Sequence, residues 1–187
     1  MMAMNKGRLE AFTDAILAII MTIMVLELHV PDGFTLKAVS HELIPILAYV
    51  ISFVGLTNLW ATHHFLFEAL HKVSYGVFIV NMILLLWVSM VPVITAWVAT
   101  YPDKFLPQVC YIAVIFGWAV LLLLLEAMAK KADPAYPNKA LATKEMAIML
   151  VIMVIGAGLS LFLPYVALTT GVIVIGIYLI FPYKEFS

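Results

Sequence analysis

The chain has 187 residues, of which 65% are hydrophobic and 11% charged, and its mean hydropathy is +1.12. A soluble domain carries about 25% charged residues, so this chain has too few to cover a globular surface in water and reads as an integral membrane protein. The net charge of −1 excludes a general nucleic-acid binder, and the single cysteine, Cys110, excludes an intrachain disulfide or a cysteine-based metal cluster.

A bilayer core about 30 Å thick requires around 20 mostly apolar residues per helix. Runs of that kind predict an all-α membrane protein with six spans, near 8–29, 40–66, 74–99, 106–129, 145–163 and 166–182. The first run closes on Leu26-Glu27-Leu28-His29-Val30-Pro31 without a small-residue cleavage site, so it is expected to stay as a span and not to be removed as a leader. Val30-Pro31-Asp32-Gly33, Tyr101-Pro102-Asp103 and Asp133-Pro134-Ala135-Tyr136-Pro137-Asn138 mark the ends of the first, third and fourth spans. Only Leu163-Pro164-Tyr165 divides the last two. A re-entrant hairpin is the alternative there, but roughly forty residues suit two short or tilted crossings better.

Basic residues then set the orientation. Lys6, Arg8, Lys72, Lys130, Lys131, Lys139, Lys144 and Lys184 fall on one side, and only Lys37 and Lys104 on the other. Both termini are therefore expected in the cytoplasm. Every connection is short, the longest being the basic loop from Lys130 to Lys144, so residues 1–187 are expected to form one transmembrane domain.

At 3.6 residues per turn the first span has three faces. Phe12, Ile16, Ile19, Ile23, Leu26 and Val30 form a stripe of large apolar groups, and Ala11, Ala15, Ala18 and Thr22 form a neighbouring stripe of small ones. Small residues at this spacing let another helix approach closely, and large ones most often face lipid or core. Asp14 projects nearly opposite the large stripe. A carboxylate at that depth costs about 2.5–3.5 kcal/mol if unpaired at the membrane centre, so it needs protein or water around it and a partner. Arg8 is the nearest candidate in sequence, as a structural or a functional ion pair.

In the second span Ser52, Gly55, Asn58 and Thr62 share a small, polar face suited to meeting another helix. His63 and His64 point about 100° apart on a helix and cannot easily clamp one metal, so no metal site is expected. One imidazole is expected to bond Asp14 or Asn81, and the other to meet the interface. The third span holds Asn81, with Ser74 and Pro92 near the same face, and Pro92 is expected to bend it. Asp14, His63, His64 and Asn81 lie at similar depth, which points to one buried polar network linking three spans. Glu27, Glu42 and Glu126 lie near span ends, where no partner in lipid is needed. There is no nucleophile–base pattern, phosphate-cradling loop or paired carboxylate, so no enzyme activity is expected. Thr169-Thr170-Gly171-Val172 shares little more than a Thr-x-Gly core with potassium-filter loops, and it sits in an uninterrupted apolar run.

Arg8-Leu9-Glu10-Ala11-Phe12-Thr13-Asp14 resembles the Arg-x-x-x-Phe-Ser-Asp signature of the TMEM175 family of lysosomal and prokaryotic potassium channels. Thr13 stands where that family usually has serine, and keeps the hydroxyl. The resemblance continues through Trp60, His63 and His64 in the second span and Asn81 with Pro92 in the third. It implies a homotetramer of six-helix subunits in a bacterial plasma membrane, with no cofactor and with potassium and other monovalent cations as permeant species. It implies that the first helix lines the pore, that Ile19 forms the main constriction with Ile23 and Leu26 as further apolar layers, and that Thr22 contributes to selectivity. Arg8, Phe12, Thr13, Asp14, Trp60, His63, His64 and Asn81 would then hold the pore helix in place, with Asp14 directed away from the pore. A proton leak or proton-coupled transporter using Asp14, His63 and His64 is the competing function, and an inert scaffold is a third.

Overall fold

In the computed structural model, which describes residues 5–137 and 143–180 except for the side chains at 143–145 and 178–180, every regular element is an α-helix. Lys139, Lys184 and positions 181–182 of the last expected span lie outside the described residues. Helix α1 runs Lys6–Leu26, and the Asn5 side chain caps it by accepting the Arg8 N–H at 3.3 Å. At 1.5 Å per residue its 21 residues extend about 32 Å, enough to cross a hydrocarbon core. It ends sooner than the apolar run does, leaving Val30 outside the helix. The residue ahead of a proline is pushed from the α region, so Pro31 keeps Val30 from resuming the helix, and Gly33 turns the chain at a φ of 121°. The connection holds an unexpected short helix, α2 (Leu36–His41), started by Thr35, whose hydroxyl accepts the Ala38 N–H at 3.2 Å.

Helix α3 covers Leu43–Glu68. The third span is two helices, α4 (Tyr75–Val88) and α5 (Val91–Thr100), broken at Ser89 and Met90. Pro92 sits in the first turn of α5, just past that break, so the interruption falls where the proline, with no N–H to donate, is expected to disturb the span. Helix α6 (Phe105–Ala132) continues through Lys130 and Lys131, two residues expected in a loop. Helices α7 (Thr143–Leu159) and α8 (Val166–Ile180) complete the chain.

Among the described residues four segments are long and apolar enough to cross a membrane: Lys6–Leu26, Leu43–Glu68, Tyr75–Thr100 and Phe105–Ala132. Met146–Leu159 and Val166–Ile177 are shorter apolar helices. The tight turn between them is pinned from outside. Tyr165, at a left-handed φ of 61°, donates its N–H to the Pro102 carbonyl at 3.0 Å. Gln108 of α6 donates to the Leu163 carbonyl and accepts the Ala167 N–H.

Two cores divide the bundle. The larger joins α1, α3, α4 and α6 through Leu17, Ile20, Leu56, Leu84 and Leu125, and the smaller joins α3, α6, α7 and α8 through Ile51, Tyr111, Met149 and Leu168. Helix α1 packs on α3, α4 and α5 from one side only.

A pore-helix candidate and its polar anchors

Packing on one side divides α1 lengthwise. Leu9, Thr13, Leu17, Ile20 and Met24, at steps of three and four, are buried against the core. Ala11, Ala15, Ala18, Thr22, Phe12, Ile19, Ile23 and Leu26 stay uncovered. The contrast is sharpest between neighbours: Ile19 is 53% exposed and Ile20 only 4%. Leu26 is 79% exposed at the helix end. The large and small stripes expected from the sequence thus lie on one continuous uncovered face. Ile16 departs from its stripe and packs partly against the core. Thr22 turns its hydroxyl hydrogen onto the Ile19 carbonyl at 2.8 Å, which leaves its lone pairs free.

The buried face is held by hydrogen bonds as well as by packing. Asn81 of α4 donates its amide N–H to Thr13 Oγ1 at 2.9 Å, and its Oδ1 meets His63 Nε2 of α3 at 2.8 Å. Because the Asn81 oxygen can only accept, His63 carries its proton on Nε2. Thr13, Asn81 and His63 are all buried, and the His63 ring stacks on Phe67 at 4.3 Å between centroids. In an environment without water each of these groups needs a partner, and Asn81 supplies one to both Thr13 and His63. It ties α1, α3 and α4 together at one level.

Asp14 belongs to a different cluster. Its carboxylate is exposed and accepts the Trp60 indole N–H at 2.9 Å, and His64, also exposed, stacks on Trp60. The single network expected from depth is therefore two, a buried triad and an exposed acid–indole pair, because Thr13 and Asp14 are adjacent and point about 100° apart. Arg8 is exposed, and among the described residues it forms no ion pair with Asp14.

Several polar contacts escape the sequence. Glu126, expected to need no partner, lies six residues inside the end of α6, is 3% exposed and pairs with Lys130 at 2.9 Å. Helix α6 runs farther than its apolar run, which is why Lys130 stands one turn from Glu126 and pairs with it. Ser52 bonds both Thr95 and Tyr111, joining α3, α5 and α6 by hydroxyls alone. Asp133, just past α6, accepts the His71 backbone and ring N–H groups and the Ala135 N–H, which holds its carboxyl below the ordinary 3.8. Thr169-Thr170-Gly171-Val172 lies within the continuous helix α8, so its carbonyls are not free to line a filter. No cluster of three or more metal-ligating side chains occurs among the described residues.

The stretch that builds both anchors and the uncovered face is the stretch shared with known channels. The family described as endosomal/lysosomal potassium channel TMEM175 matches residues 8–92. A potassium channel of Chryseobacterium is 36% identical over 168 residues, 88% of each chain. A potassium channel of Chamaesiphon minutus is 31% identical over 145 residues, 73% of this chain and 71% of that one. The crystal structure of a lysosomal potassium-selective channel TMEM175 homolog from Chamaesiphon minutus matches with a TM-score of 0.77 at 25% identity, covering 95% of this chain and 98% of the other. With the signature on α1, the buried triad behind it and whole-length likeness to bacterial channels, this chain belongs to the TMEM175 family.

Proposed function

We propose that this chain is the subunit of a homotetrameric, potassium-favouring cation channel in a bacterial plasma membrane, with α1 of each subunit lining a central pore. The observation that carries the reading is the uncovered face of α1, where Ile19, Ile23 and Leu26 stand free of their own bundle while Ile20 is packed into it. A face of this kind needs covering. The small residues Ala11, Ala15 and Ala18 suit a neighbouring helix at close range, and the larger residues beside them suit an axis. Rings of isoleucine and leucine cannot replace an ion's hydration shell, so the constriction works by excluding water, and discrimination among monovalent cations is modest.

On this reading the domain is residues 1–187, with six crossings and both termini in the cytoplasm, α7 and α8 making the last two. The buried triad of Thr13, Asn81 and His63 holds α1 in register, and Asp14 with Trp60 braces the edge of the uncovered face. Neither Asp14, His63 nor His64 is chained to another of the three by hydrogen bonds among the described residues, which favours cation conduction over a proton relay.

The deciding measurement is flux through purified protein in liposomes, under potassium or sodium gradients, with and without a protonophore. Potassium flux exceeding sodium flux, with cation uptake speeded when the protonophore relieves the charge build-up, is expected. Proton movement alone would establish the relay, and no flux in well-folded tetramers would overturn the channel. Orientation has its own check. In a Cys110→Ser background, cysteines at Gly33 and Asp103 should react with an impermeant thiol reagent outside intact cells, and one at Lys131 should not.

A further inference from the structure

One side chain binds the elbow between α4 and α5 to α6. Trp87, in the last turn of α4, donates its indole N–H to the Val114 carbonyl of α6 at 2.9 Å. Gly117 lies under the same ring, and a Cβ at that position would overlap the indole. The glycine is therefore a notch in α6 that admits the tryptophan against the helix backbone. Beyond Trp87 the chain is held by little. Ser89 and Met90 are exposed and belong to neither helix. The Met90 N–H reaches back only to the Trp87 carbonyl, at 3.2 Å, and Pro92 has no N–H to give the Val88 carbonyl. The Ser89 hydroxyl turns onto the Leu86 carbonyl of its own helix at 2.7 Å.

The depth of this elbow follows from the anchors of α1. Helices α1 and α4 start at the same end of the bundle, since Lys6 donates to the Glu68 carbonyl at 3.4 Å, where α3 ends and residues 69–74 lead into α4. Thr13 and Asn81 are bonded at one level. Ile19 lies six residues beyond Thr13 and Trp87 six beyond Asn81, about 9 Å along each axis. The elbow thus stands at the depth of Ile19. It also stands behind it, because Ile20, on the buried side of α1, shares one packed cluster with Val88 and Val91 on either side of the break.

We infer that Trp87 is a positioning residue for the constriction: seated on Gly117 and tied to the Val114 carbonyl, it sets the elbow that backs α1 and so the width of the ring formed by Ile19. The inference rests on the channel reading of α1. Gly117→Ala displaces the indole from its notch, and Trp87→Phe keeps an aromatic ring there without the N–H. With α1 freed to splay, each should raise potassium flux into liposomes at least threefold and lower the potassium-to-sodium ratio at least twofold. Leu168→Ala, in the smaller core that does not include α1, controls for loosening alone. It should lower the melting temperature and leave flux and ratio unchanged. Ile19→Asn is measured alongside. If Gly117→Ala and Trp87→Phe lower melting but leave flux and ratio alone while Ile19→Asn alters them, Trp87 only holds the fold and the inference is overturned. It is overturned equally if Leu168→Ala shifts the ratio as far. Flux indifferent to every variant, Ile19→Asn included, overturns the channel reading and the inference with it. Should Gly117→Ala fail to fold, the conservative Trp87→Phe decides.

Discussion

The two long faces of α1 are made of similar residues and have opposite surroundings. On one, Leu17, Ile20 and Met24 are packed against the bundle and Thr13 is tied to Asn81. On the other, Ile19, Ile23 and Leu26 touch little of their own chain. Hydrophobicity does not distinguish them, since an isoleucine serves each. What distinguishes them is polar placement: the face that carries a hydroxyl at the level of Asn81 and His63 is the one drawn inward, because those groups have no other partner in a membrane. The uncovered face is left by exclusion, and an excluded apolar face on the first helix is what an assembly around an axis requires.

The largest expected effect comes from exchanging the same residue on the two faces. Ile19→Asn places four amides around the proposed axis, where they can hold water that isoleucine excludes. Potassium flux into liposomes should rise at least tenfold, equivalent to about 1.4 kcal/mol off the barrier, while the preference over sodium falls. Ile20→Asn instead puts an unpartnered amide into the core and removes packing, at a cost of about 3–5 kcal/mol. It should lower the yield of folded protein and create no leak. If the two variants conduct alike, the faces are not distinct and the pore reading fails.

Smaller effects separate the two anchors. Asn81→Leu leaves Thr13 and His63 buried without partners, about 1–3 kcal/mol for each. Asp14→Ala removes one hydrogen bond between exposed groups, about 1 kcal/mol. Melting in one detergent should therefore drop much further for Asn81→Leu. The opposite order would mean that Asp14 is covered by a neighbouring subunit in the assembly, and would sharpen the comparison by moving the interface onto that edge of α1.

Much of this was legible in the residues. That α1 closes before Pro31 follows from the Val30-Pro31-Asp32-Gly33 breaker, and both the large and the small stripe of α1 follow from their spacing. Asn81, His63 and Trp60 stood out because polar groups in apolar runs must bond. The rest depends on packing that no local pattern encodes. Whether Asn81 takes Thr13 or Asp14 turns on a rotation of about 100° about α1, which the spacing leaves open. That Ile19 is free and Ile20 buried is invisible where every neighbour is apolar. Glu126 reads as a span-end residue because the apolar run stops before the helix does, and α6 continues over Lys130 to pair with it. The break at Ser89 and Met90 precedes the proline that signals it.

The smallest effect tests how much of the uncovered face is chemically neutral. Thr22 is the polar member of that face, and its hydrogen is already committed to the Ile19 carbonyl at 2.8 Å. It can therefore offer only acceptor lone pairs toward an axis, which favour a partly hydrated cation without donating to anything. Thr22→Val keeps the shape, removes those lone pairs and leaves the Ile19 carbonyl with its helical bond. Flux should persist, and the potassium-to-sodium ratio should fall by less than tenfold, under about 1.4 kcal/mol. A ratio unchanged in Thr22→Val but lowered in Ile19→Asn would place discrimination in the width of the apolar ring alone. Flux abolished by Thr22→Val, in tetramers that melt normally, would instead mean that the hydroxyls carry the ion through the constriction, and that the uncovered face works as a polar path with an apolar rim.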